Sequence, residues 1–215
     1  MKPYFLVGGG PSLKAFEWAL LKNVPHVICI NMAYAYVPTA EAVFVEDLQF
    51  IQLAAQRDDW KAFKGSKIFH ALDPSFIEPA LSADPDLFII RRKRKDKFWG
   101  RSLEDGLSYS SNSMIGALNL ADIMGADPIY LLGVDCNSVG KDQKNFHDEY
   151  ELAGFDRAGD HQYESFKSDF ENWTALHLRH KRVVNLNPNS AVTCWPRRSW
   201  REEFKCASWP SPTTR

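Results

Sequence analysis

Short runs of unbroken apolar residues, each stopping abruptly at glycine or polar positions, set the rhythm of this chain. Tyr4-Phe-Leu-Val7 ends at a Gly-Gly-Gly-Pro-Ser turn, Val27-Ile-Cys-Ile30 ends at Asn31, and Ala42-Val-Phe-Val45 ends at Glu46 and Asp47. A run without polar alternation buries both faces of a strand, as a parallel sheet covered on two sides requires, and helix-length intervals supply the crossovers. Lys67–His70 and Leu87–Ile90 are further strand candidates. Leu13 to Leu21 has helical character, so the start of the chain reads strand, turn, helix. The clearest unit lies later: Ile115, Leu118, Leu120, Ile123 and Met124 mark a helix from Ser113 that stops at Gly125, and Pro128-Ile-Tyr-Leu-Leu132 follows as a strand. Residues 136–162 are rich in Asp, Gly, Lys and Asn with little apolar periodicity, and a long loop in a compact domain is usually functional, so this segment reads as a polar lid. A helix Glu164 to His180 and a strand Arg182 to Leu186 are expected to close the fold.

The expected fold class is therefore α/β: one Rossmann-like domain over residues 1–206 with a mainly parallel sheet, and a loose tail at 207–215. Length and composition agree. The chain has 215 residues, 45% hydrophobic, with 7 Trp, 7 Tyr and 14 Phe, which is ample material for one core. Net charge is −1, so no global field recruits nucleic acid or an anionic membrane. No apolar run reaches the roughly 18 to 20 residues that span a bilayer, and the reading is cytoplasmic. Cys29, Cys136, Cys194 and Cys206 show no zinc-site spacing and read as reduced thiols.

Candidate chemistry gathers where the strands end. Gly8, Gly9, Gly10, Pro11 and Ser12 form a turn between strand and helix, where backbone N–H groups can meet an anion. It lacks the lysine of a phosphate-binding P-loop and the spacing of a dinucleotide fingerprint. Asn31, Glu46, Asp47 and Asp135 all follow apolar runs, so a parallel sheet collects them at its carboxyl edge, the usual ligand crevice. Glu46 and Asp47 are the metal candidates should the chemistry need one. Asn112 and Ser113 open the long helix as its cap, and the same groups could meet a base or a phosphate. His147 and His161 each lie beside an aspartate in the lid and are the candidate general bases, whereas His26 and His70 sit near core runs. The basic run Arg91 to Lys95 reads as a solvated loop, with a phosphate or nucleic-acid contact as its alternative.

These motifs, taken in order, resemble those of the glycosyltransferase family 42 sialyltransferases: Gly8-Gly-Gly-Pro-Ser-Leu13, Asn31 after a strand, Ala42-Val-Phe44, Ser113 opening a helix, Ile129 to Asp135, and Asn187-Pro-Asn-Ser190. Ser111-Asn-Ser113, the histidine-bearing lid and Cys194-Trp-Pro-Arg197 also resemble phage and prophage proteins related to the 6-hydroxymethylpterin diphosphokinase-like family. The first resemblance implies a nucleotide-sugar donor such as a CMP-sugar. It also implies nucleotide contacts from Gly10, Pro11, Ser12, Asn31 and Ser113, and a histidine base, for which His161 best matches the family's place and His147 is the rival. Gly9 stands where the family has an asparagine, and Glu46 where it has another, which leaves cytidine specificity and metal independence open. A phage context brings a host surface glycan or modified DNA into view as acceptor. Two other classes stand beside this expectation: a metal-dependent diphosphokinase or other phosphoryl transferase, and a non-catalytic nucleotide or nucleic-acid binding module.

Overall fold

A computed structural model describes residues 1–93, 98–137, 145–148 and 160–206. Most of the expected lid, the end of the basic run and the 207–215 tail lie outside the described residues, as do the side chains of Asp160, His161, Trp173 and Cys206. The strands are β1 (Tyr4–Val7), β2 (Val27–Ile30), β3 (Ala42–Val45), β4 (Ser66–Ala71), β5 (Phe88–Lys93), β6 (Leu107–Ser108), β7 (Ile129–Leu132) and β8 (Val183–Asn185). They form one sheet in the order β6-β5-β4-β3-β2-β1-β7-β8, and every pairing is parallel. The first three apolar runs coincide with β1, β2 and β3 residue for residue.

Both faces are covered, which explains the missing polar alternation. Phe5 and Val7 point into a layer with α1 (Leu48–Ala54), α2 (Asp58–Ala62), α3 (Ile77–Ala83) and α6 (Trp200–Cys206). Tyr4 and Leu6 point into the opposite layer, built on α4 (Ser113–Ile123) and on the segment that follows α5 (Asp160–Asp169). Asn119 of α4 is fully buried. Its Oδ1 accepts from the N–H groups of Gly100 and Ser108, and its Nδ2 donates to the Gly100 carbonyl, which fastens the approach to β6 onto the helix. Gly125 takes φ +77 just beyond α4, a left-handed stop that glycine adopts without Cβ cost.

Three expectations need correction. The stretch after the glycine turn is two 3-10 segments, Pro11–Ala15 and Trp18–Asn23, because Phe16 and Glu17 between them leave helical backbone angles. The closing helix starts at Asp160 rather than Glu164, and its continuation through Phe170–Thr174 is π-helical. Arg91, Arg92 and Lys93 belong to β5 rather than to a loop; the Arg92 guanidinium lies 4.7 Å from the Tyr109 ring centre and the Lys93 ammonium 5.3 Å from that of Phe98.

Beneath α3 an ion pair is buried: Lys67 Nζ lies 2.8 Å from Asp84 Oδ2, with both side chains under a tenth exposed, and Trp60 Nε1 donates to the same oxygen. Burial alone would raise the Asp84 carboxyl, but the Lys67 ammonium, the Asp86 N–H and the Trp60 N–H hold it below the usual carboxylate range. Its folded value being depressed, the pair's stabilisation is present above about pH 3.9 and is lost as pH falls through the folded value. Lys67→Met, which strands the carboxylate, is expected to cost roughly 3–5 kcal/mol in urea unfolding at pH 7 and to flatten the acid limb of the stability curve.

Candidate functional site

Strands β2 to β6 run outward from one side of β1, while β7 and β8 lie on its other side, so the topological switch falls between β1 and β7. Loops leaving the carboxyl ends of two such strands diverge to opposite faces and open a crevice. A cavity of about 300 Å³ occupies that position. The glycine turn forms one wall, Ile30 and Asn31 the next, the start of α4 a third, and Gly133 to Asn137 the floor. Tyr163, Phe166 and Phe170 make an aromatic side, and Asn145 and His147 complete the lining.

Asp135 holds this arrangement together. It is 3% exposed, its Oδ2 accepts from Ser12 N–H at 2.7 Å, and its Oδ1 accepts from Ser12 Oγ and Asn187 Nδ2, each at 2.7 Å. A Cβ on Gly10 would lie 2.5 Å from the same carboxylate, so the glycine is required there by the aspartate's approach. The Gly10 N–H is spent on the Gly133 carbonyl, 2.9 Å away. Two donors expected to meet a ligand anion are thus filled by the protein itself, and among the described residues of the turn the Gly9 N–H is the one left over. Burial pushes the Asp135 carboxyl up, against the hydrogen bonds from Ser12 and Asn187 that lower it.

The site carries other marks of a built pocket. Asn31 and Cys136 have left-handed backbone, φ 50 and 49, and both line the cavity; such conformations persist in non-glycine residues where surrounding structure enforces them. Asn112 caps α4 by accepting the Met114 N–H at 3.1 Å through Oδ1, which fixes the amide's orientation and turns its Nδ2 away from the cap. That Nδ2 and the Asn31 Oδ1 are both buried without a protein partner, one donor and one acceptor on the same cavity. Cys136 is no activated nucleophile, since burial first and the Asp135 charge second push its thiol up to about 12.

Of the residues singled out in the sequence, Gly8, Gly9, Gly10, Pro11, Asn31, Asn112, Ser113, Asp135 and His147 line one cavity. Ser12 reaches it only through Asp135. Glu46 and Asp47 are not in the lining: the Glu46 carboxylate lies 2.6 Å from Nδ1 of the fully buried His70, and Asp47 caps α1 by accepting from Gln49 N–H. Among the described residues no group of three or more His, Cys, Asp and Glu could hold a metal. His161 is the second residue of α5, with its side chain outside the described residues. The aromatic side was missed, although 163, 166 and 170 repeat at helical spacing, one stripe of α5 and its π-helical extension. Asn187 was named only as part of a motif, and nothing in its sequence surroundings identifies the aspartate it meets.

Comparisons with protein-family models, with curated proteins and with solved structures find no match to this chain.

Asp135→Ala leaves three donors without their acceptor and is expected to lower stability by roughly 2–4 kcal/mol in urea unfolding. Because burial raises the folded carboxyl, its contribution is fully present below about pH 3.9 and lost as pH rises through the folded value. The stability of the native chain relative to Asp135→Asn should therefore decline with rising pH across that window, and a pH-independent difference would contradict the assignment.

Proposed function

We propose that the protein is a nucleotide-sugar-dependent glycosyltransferase of the sialyltransferase type, with the cavity at the β1/β7 switch as its donor site. The observation that carries this reading is the pairing, on one cavity, of a histidine only 5% exposed with the start of an 11-residue helix. A general base and an anion-stabilising helix terminus are the two devices that transfer to a hydroxyl needs. In this mechanism His147 takes the proton of the acceptor hydroxyl as its oxygen bonds to the sugar's anomeric carbon. The bond from that carbon to the donor phosphate breaks, and the phosphate leaves with the electron pair. The start of α4 at Ser113 and the Gly9 N–H face the charge that develops on it.

The electrostatics favour a donor with one phosphate. No Lys or Arg is among the described residues that line the cavity, and Asp135 is a buried carboxyl in its floor. A diphosphate would bring a second negative group with nothing described there to neutralise it. The donor in this reading is the CMP-sugar that the motif resemblance implies, used without a divalent ion. Glu46 and Asp47, engaged with His70 and the start of α1, lend no support to a metal-dependent phosphoryl transferase.

CMP at a hundred times its Kd, with chelator present, should stabilise the protein by about 2.7 kcal/mol in thermal unfolding. His147→Ala should keep that stabilisation while slowing CMP-sugar turnover about 10²- to 10⁴-fold. His161→Ala, measured beside it, should retain turnover; a loss confined to that variant moves the base to His161. CMP stabilisation with no turnover of any CMP-sugar by the native chain would leave a binding module in place of the enzyme.

A further inference from the structure

His147 sits in a stretch, residues 145–148, that has no helix or strand to hold it, yet its ring is nearly excluded from water. The residue before it supplies a restraint of its own. Phe146 N–H donates to the Gly9 carbonyl at 3.1 Å, which pins the stretch to the glycine turn. The Phe146 ring, 9% exposed, lies 5.1 Å from Trp18 and 4.9 Å from Tyr36, and those two rings are 5.1 Å from each other. Trp18 stacks edge-on against Phe16 at 5.2 Å, and Phe16 against Trp200 at 5.0 Å, so the socket is rooted in the core on that side of the sheet. The Phe146 and His147 rings are nearly perpendicular, 85° apart with centres 4.8 Å apart.

We infer that Phe146, seated between Trp18 and Tyr36, is a positioning residue for His147 that holds the imidazole in place and limits the water that reaches it. Phe146 does not line the cavity. It acts through its neighbour: with the adjoining ring locked in the socket and the Phe146 N–H bonded to Gly9, His147 has little freedom to leave. Aromatic contacts of this geometry add to area burial, and together they hold a short loop in place. The catalytic consequence rests on His147 being the base, as proposed above; the positional claim stands without it.

The test is modification of the histidines of the full chain by diethyl pyrocarbonate, followed site by site by peptide mass analysis without substrate. In the native chain His147 should react at least tenfold more slowly than His180, whose side chain is 60% exposed. In Phe146→Ala that difference should vanish, while His70, fully buried elsewhere, stays protected and so rules out general loosening. Trp18→Ala should reproduce the effect from the other side of the socket, and Phe146→Tyr should restore protection. In CMP-sugar turnover Phe146→Ala should lower kcat with little change in donor KM. Continued protection of His147 in Phe146→Ala, or His70 and His147 becoming reactive together, overturns the inference. Failure of the base assignment reads differently: His147→Ala keeps turnover while Phe146→Ala still exposes His147.

Discussion

The buried carboxylate of Asp135 is the contact on which the site depends. Three stretches distant in sequence converge on it: the glycine turn through Ser12, the end of β7 that carries it, and the segment after β8 through Asn187. Its backbone joins in, since the Ala191 N–H donates to the Asp135 carbonyl at 2.8 Å. An isolated buried carboxyl is costly, and three short hydrogen bonds, two from half-buried Ser12 and one from buried Asn187, offset that cost. The crevice at the switch point is thereby fixed in shape rather than left for a ligand to form. One consequence is chemical: the turn that most resembles an anion cradle already holds the protein's own acid.

This geometry also sorts the polar residues at the carboxyl edge into two groups. Asn31, Asn112, Ser113, Asp135 and His147 share the cavity. Glu46 and His70 form a separate buried pair beneath α4, where a Cβ on Gly116 would stand 3.0 Å from Glu46 Oε1 and 3.0 Å from His70 Nδ1. The second group is paired away from the cavity, and the first keeps unspent donors and acceptors on it, notably Asn112 Nδ2 and Asn31 Oδ1. A site with its hydrogen-bond capacity partly unspent is what a ligand requires.

The sheet was largely legible in the sequence because burial on both faces writes a strand as a solid apolar block, and β1, β2 and β3 begin and end where their blocks do. The convergence of Asn31 and Asp135 followed from the same rule. What pattern reading could not supply is what a side chain meets across the fold. Ser12 and Asp135 were each read as facing a ligand, and they face each other over 123 positions. β6 has only two residues and depends on Asn119 for its placement, so no local periodicity announces it. The split of the first helix at Phe16 and Glu17 serves the aromatic contacts of Phe16 and Trp18, a tertiary demand that overrides helical propensity.

In the proposed function the cavity at the β1/β7 switch binds a nucleoside monophosphate group without a metal. Its most direct test is a titration of isotope-labelled protein with CMP in chelator, followed by backbone and asparagine side-chain amide resonances. Saturable shifts are expected at Gly9, Ser113 and the Asn112 side-chain amide, with Arg91 to Lys93 unmoved. Shifts confined to the basic strand end, or none at the cavity until magnesium is added, would contradict it.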